Sequence, residues 1–134
     1  MRVHFNPDAL ARALDAALPE AEFCLLLGSA AGGTVAESSD LDLAFYLNGR
    51  PSIEFYRRVS DAVRELLPGV TCDTGVLNFA EPVYRFEALK GRLLFTRNEE
   101  RYVEFFSRTC REYESQMFDY ERQLRYRLEA ARAV

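Results

Sequence analysis

Residues 28–42 read Gly28-Ser29-Ala30-Ala31-Gly32-Gly33-Thr34-Val35-Ala36-Glu37-Ser38-Ser39-Asp40-Leu41-Asp42, and the strands implied on either side set the architecture. Before this stretch stands Phe23-Cys24-Leu25-Leu26-Leu27, a compact apolar run that reads as a buried strand ending at a glycine. After it, Asp40 to Leu47 reads as a second strand, closed by the turn signal Asn48-Gly49. Side chains two apart on a strand share a face, so Asp40 and Asp42 are expected to present parallel carboxylates while Leu41 and Leu43 face the core. Like charges at that separation disfavour each other's ionised form, and a divalent cation that prefers hard oxygen ligands, such as Mg²⁺, removes the penalty. The backbone N–H groups and hydroxyl of the Ser29 turn can face an anion. A phosphate cradle beside a carboxylate pair is what metal-assisted phosphoryl or nucleotidyl transfer requires. Taken singly, an Asp-x-Asp at a solvated strand end and a Gly-Ser turn are both common. Their combination behind an apolar strand, ten residues apart, is far more specific.

Outward from this centre the chain alternates between elements. Asn6-Pro7-Asp8 is a helix start, followed by Leu10, Leu14 and Leu18 at i+4 steps. The pattern predicts a helix over 51–67, stopped by Pro68-Gly69, then a third strand over 70–77 that carries Asp73. A short helix over 82–89 and an extended segment over 92–96 come next. From Glu99 to about Ala131 there is neither Gly nor Pro, and the spacing is helical throughout. The order α-β-β-α-β-α-(β)-α predicts an α+β domain on a small mixed β-sheet flanked by helices, with no repeat and no dividing linker. Residues 1–97 form its body and 98–134 a long C-terminal helix of the same domain.

Composition narrows the function classes. With 134 residues, 49% hydrophobic and 28% charged, the chain can bury a core without disulfides or structural metal. A net charge of -4 argues against a general nucleic-acid binder. The acidity is local: residues 1–96 hold 9 Lys/Arg against 13 Asp/Glu, whereas 97–134 hold 8 of each. Cys24, Cys72 and Cys110 are scattered, which fits free thiols in a reducing compartment, and no apolar run approaches a membrane span. The cytoplasm is the expected location. His4 is the only histidine, which nearly excludes a His-based triad or a zinc site.

Gly28-Ser29, ten residues, then Asp40-Leu41-Asp42 resembles the GS-x10-DxD signature of the nucleotidyltransferase superfamily that includes DNA polymerase β. The chain is too short for a polymerase and looks like the minimal nucleotidyltransferase, the MNT-domain antitoxin of HEPN/MNT toxin–antitoxin pairs. The segments Cys72-Asp73-Thr74-Gly75-Val76-Leu77-Asn78 and Tyr84 to Phe95 resemble the family's third strand and the segment after it, so the likeness runs from about residue 20 to 97. It implies that Gly28 and Ser29 hold a nucleotide triphosphate, with Gly33 and Thr34 continuing the turn. It implies that Asp40 and Asp42 ligate Mg²⁺, and that Asp73 completes the metal site and helps deprotonate the acceptor hydroxyl. The activity implied is transfer of AMP from ATP to a tyrosine of a HEPN ribonuclease toxin, which neutralises it. Two departures stand out. Gly32 occupies a place where the family often has Arg, which predicts weaker nucleotide binding, and Gly75 replaces a usual apolar residue, which predicts a bulge or a close backbone approach. Two other readings are a non-catalytic antitoxin that acts by binding alone and a nucleotidyltransferase for a small molecule.

The C-terminal helix carries Tyr102, Phe106, Cys110, Tyr113, Met117, Tyr120, Leu124 and Leu128 as one near-heptad stripe. A helix that long should overhang a domain of this size. Its second half, rich in Tyr, Met and Arg, has the composition of a protein interface, and Tyr113, Met117, Tyr120 and Leu124 are the expected contacts with another protein chain or a copy of this one; the family resemblance implies a HEPN partner in a hetero-oligomer.

Overall fold

A computed structural model describes residues 2–132. In chain order the elements are β1 (Arg2–His4), α1 (Pro7–Ala17), β2 (Ala21–Leu26), a short 3₁₀ turn (Gly28–Gly32), β3 (Thr34–Ala36), β4 (Leu41–Leu47), α2 (Ile53–Leu66), β5 (Cys72–Val76), α3 (Pro82–Leu89), β6 (Arg92–Thr96) and α4 (Glu99–Arg132). The main sheet has the order β5-β4-β2-β6; β5 runs parallel to β4 and the other neighbours are antiparallel. This is the mixed sheet of an α+β domain, as the sequence predicts.

The caps explain the helix starts. The Asn6 side chain accepts from the Asp8 N–H at 2.9 Å, with Pro7 opening α1. At α2 the Ser52 hydroxyl accepts from the Phe55 N–H at 3.1 Å, so the helix begins at Ile53 and Pro51 lies outside it. Two strands escape the sequence reading: β1 and β3 pair antiparallel in a separate ribbon, Arg2 opposite Ala36 and His4 opposite Thr34. Three residues each are too few to show a period.

The two faces of the main sheet are covered differently. On one, Leu10 and Leu14 of α1, Leu18 at its C-cap, and Phe55, Val59 and Val63 of α2 pack on Cys24, Leu26, Leu41, Leu43, Phe45 and Leu47. On the other, Phe23, Leu25, Ala44 and Leu77 meet Ala88 of α3 and Phe105 of α4. Period-two alternation along β4 separates the sets: Leu41, Leu43, Phe45 and Leu47 go to the first face, Asp42, Ala44 and Tyr46 to the second.

Hydrogen bonds lock the end of the sheet remote from Asp42. Asn78 donates to the Leu47 carbonyl at 2.7 Å and accepts from its N–H at 2.9 Å, a side chain standing in for a strand neighbour. The nearly buried Arg85 donates to the Leu77 and Asn78 carbonyls and lies over the Phe105 ring. Arg97 ties β6 to α1 and β2 through the carbonyls of Leu18 and Ala21.

The register of α4 differs from the predicted stripe. Phe105 and Thr109 are the buried residues, whereas Phe106 is 45% exposed. Phe105 enters an aromatic cluster, 5.2 Å from Phe23 and 5.5 Å from Tyr46, and so takes the seat that the predicted stripe gave to Phe106. Tyr113 stacks on Phe86 at 3.9 Å, and Met117 is half-buried. Beyond Met117 every described residue of α4 is exposed.

Candidate active site

The Gly-Ser turn and the paired carboxylates meet because β2 and β4 are antiparallel neighbours, so the exit of one lies against the entry of the other. The Leu27 N–H donates to the Asp42 carbonyl at 2.9 Å, which carries the ladder one step beyond β2. Gly28 then adopts φ +69°, a left-handed conformation that suits glycine. A Cβ built there would stand 4.0 Å from Oδ2 of Asp42, so the turn sits directly over that carboxylate. Leu27, Gly28, Ser29, Ala30, Val35, Ser39, Asp40 and Asp42 enclose a pocket of about 310 Å³. Ser29 is exposed. Neither Lys nor Arg contributes to the lining.

Asp40 lies immediately before β4, and its carboxylate accepts from the Thr71 hydroxyl. The Leu41 N–H donates to the Thr71 carbonyl at 2.8 Å, so the two segments are joined by backbone and side chain. Asp42 is inside β4, with Asp73 as its partner in the parallel register of β5. Asp73 is exposed and stands outside the lining of the pocket. Asp42 titrates above the usual aspartate range because burial disfavours its charge and because the Asp73 and Asp40 carboxylates repel it.

Gly33 and Thr34 lie elsewhere. Gly33, at φ +93°, accepts from the Phe5 N–H at 2.9 Å, and a Cβ there would stand 3.0 Å from the Phe5 carbonyl oxygen. Thr34 accepts from Arg2 at 3.3 Å and pairs with His4. Both tie the turn to the N-terminal strand, and neither lines the pocket. Gly32 has open space around its missing side chain.

Gly75 is explained by its neighbour. A Cβ at this position would collide with the Tyr84 hydroxyl oxygen, and β4 and β5 pair without a bulge. Of the two structural reasons for a strand glycine, this is the close approach. Tyr84 and Ser39 border the site and escaped the sequence reading. The spacing of Tyr84 four residues before the buried Ala88 could have placed it towards the sheet, but nothing in the sequence shows that it reaches Gly75.

The donor set is chemically suited to Mg²⁺: three carboxylates, hard and oxygen-bearing, with Asp42 under repulsion from the other two. The arrangement is not closed, since no group of three or more His, Cys, Asp or Glu among the described residues is placed to grip an ion. Asp40 would have to exchange its Thr71 contact for one. Cysteine chemistry is disfavoured at the same edge: burial, chiefly, pushes the Cys72 thiol up to about 11 despite its Thr74 contact, leaving little nucleophilic thiolate at neutral pH. No helix among the described residues is long and apolar enough to cross a membrane.

A family profile described as "Polymerase beta, Nucleotidyltransferase" matches residues 12–100, two-thirds of the chain. No curated protein matches. Several solved structures share the fold. One is a mutant of the toxin–antitoxin MntA-HpeT, with TM-score 0.68 and 19% identity over 89% of this chain and 94% of that one. Another is a toxin–antitoxin with AMP-PNP, at TM-score 0.67 and 21% identity over 89% and 94%. A third is the tri-AMPylated Shewanella oneidensis HEPN toxin in complex with MNT antitoxin, at TM-score 0.63 and 18% identity over 88% and 90%. The turn over Asp42, the carboxylates gathered from two strands and the matched span together give one conclusion: the chain belongs to the polymerase beta nucleotidyltransferase family.

Proposed function

We propose that this chain is an antitoxin that transfers AMP from ATP to a tyrosine hydroxyl of a cognate HEPN toxin. The observation that carries the reading is the register pair Asp42–Asp73 beside the Gly28-Ser29 turn, which puts carboxylates from two strands next to a pocket of about 310 Å³. Support comes from the shared fold of complexes that contain an AMPylated HEPN toxin in one case and AMP-PNP in another.

In this reading Gly28 and Ser29 receive the triphosphate with backbone N–H groups and a hydroxyl, and Gly33 and Thr34 brace the far end of the turn through Phe5 and Arg2. Asp40, Asp42 and Asp73 would hold Mg²⁺. That ion would neutralise charge on the phosphates as pyrophosphate leaves. The need for it comes from the lining: a pocket with two carboxylates and no cationic side chain repels a triphosphate. Asp73, exposed at the acceptor side, accepts the proton of the incoming hydroxyl, and the rigid sheet supplies alignment. The partner docks on the distal half of α4, where Phe118, Tyr120, Leu124, Tyr126 and Leu128 are all about half exposed or more. Tyr113 and Met117 mark the boundary at which packing on the body gives way to that surface.

The cation-free lining and the bare Gly32 favour one competing reading, an antitoxin that acts by binding alone. Incubation with ATP, MgCl₂ and the cognate HEPN protein, with the partner's intact mass as the readout, separates the two. A gain of AMP units that disappears in Asp40→Asn/Asp42→Asn supports transfer. A stable complex of unchanged mass supports occlusion.

A further inference from the structure

The chain carries seven tyrosines, and one of them stands beside the carboxylates. Tyr46 stacks on Phe23, Tyr102 meets the same ring edge-on, Tyr113 stacks on Phe86 and Tyr56 packs against Phe55. Tyr120 and Tyr126 lie on the exposed end of α4. Tyr84 differs from all of these. It is one helical turn before Ala88, which is buried against the second face of the sheet, so it extends that contact line sideways onto β5. Its hydroxyl rests over Gly75, where any Cβ would collide with it. Gly75 lies two residues after Asp73 on β5 and therefore shares its face, and Asp42 is the register partner of Asp73.

We propose that Tyr84 is a self-modification site: without a partner, the chain transfers AMP from ATP to its own Tyr84 hydroxyl. This deepens the reading above and rests on it. The acceptor chemistry is the same, a phenol presented beside Asp73, and the chain supplies it from α3. The Tyr84 oxygen attacks the α-phosphorus and forms the new O–P bond. The bond from that phosphorus to the bridging oxygen of the β-phosphate breaks, and pyrophosphate leaves with the electron pair. The phenolic proton passes to the Asp73 carboxylate and then to solvent. Burial first, and then the Asp73 and Asp42 charges, hold the phenol above its ordinary pKa, so it starts protonated and requires that base. The residue as a whole is 37% exposed, and among the described residues its hydroxyl, which rests on Gly75, makes no hydrogen bond that would have to be broken. A partner tyrosine entering on the same side of β5 would compete with it.

The test uses the full chain alone with ATP and MgCl₂, read by intact mass and by fragmentation of the peptide that carries residues 82–89. The expected result is one AMP on Tyr84, absent in Tyr84→Phe, at a rate per molecule unchanged by tenfold dilution. An unmodified chain in a preparation that AMPylates its HEPN partner overturns this proposal and leaves the function above intact. An adduct confined to another tyrosine overturns it too. If neither chain gains mass, both readings fall. An independent readout is nitration of Tyr84 by tetranitromethane with and without AMP-PNP and MgCl₂: the nucleotide should slow it at least about threefold, and an unchanged rate counts against Tyr84 bordering the bound nucleotide.

Discussion

The two faces of the four-stranded sheet are made from the same strands and serve opposite ends. The face under α1 and α2 is closed from Leu41 to Leu47 by interlocking aliphatic and aromatic side chains. The face under α3 and α4 is closed only from Ala44 onward, where Phe105, Ala88 and the Asn78–Leu47 clamp cover it. The uncovered end holds Asp42 and Asp73. The site thus arises where covering helices stop, one residue step along strands that are otherwise core. Burying carboxylates under a further helix turn would cost several kcal/mol apiece, so openness and charge belong together.

The most direct challenge to this contrast is at Asp42. Asp42→Asn should lower AMP transfer to the partner by about a thousand-fold or more while the fold persists, as measured by intact-mass time courses and circular dichroism. Equal activity would mean that the open face is not the reactive one. On the closed face, Phe45→Ala should cost about 3–5 kcal/mol in urea unfolding, because a fully buried ring packed at 5.3 Å on Phe55 leaves a cavity. Asp73→Ala should stay within about 0.5 kcal/mol of the parent in the same assay, since its side chain is exposed. Gly28→Ala probes the turn. The left-handed φ should cost about 1–2 kcal/mol, and nucleotide affinity should fall with it, as read by calorimetric titration.

The smallest expected effect carries a sign. A carboxyl whose folded pKa is raised binds its proton more tightly when folded, so it favours folding below its unfolded pKa and loses that contribution as pH rises through the folded value. Asp42 is such a group, and Asp42→Asn should therefore melt higher than the parent at pH 7, the gap closing towards pH 4. Glu20 opposes this trend in both proteins. Its pKa is lowered chiefly by the hydrogen bond from Arg58, so its contribution is lost as pH falls. Taking the difference between the two melting curves removes it.

The main sheet, four helices and the Gly28-Ser29/Asp40/Asp42 constellation were legible because each rests on local signals: a period, a cap, a turn residue. The ribbon of β1 and β3 was not, since three-residue strands have no period and their pairing spans thirty-odd positions. The seat of Phe105 was missed for a related reason. Phe105 and Phe106 are adjacent and equally apolar, and only the cavity offered by Phe23 and Tyr46 decides between them. Tyr84 belongs to the same class, because the niche that admits it is a missing Cβ on another element.

The length of α4 also governs how the molecule moves. Its 34 residues extend about 51 Å, against a radius of gyration of roughly 14 Å expected for a compact chain of this size. Tumbling in water should therefore be axially asymmetric, slow end over end and fast about the helix. Backbone N–H vectors in α4 lie along the helix axis and are reoriented only by the slow end-over-end motion, so their nitrogen-15 transverse relaxation should exceed that of the sheet. Docking of a bulky protein on the distal turns would draw the two rates together, giving a readout of assembly that requires no catalysis.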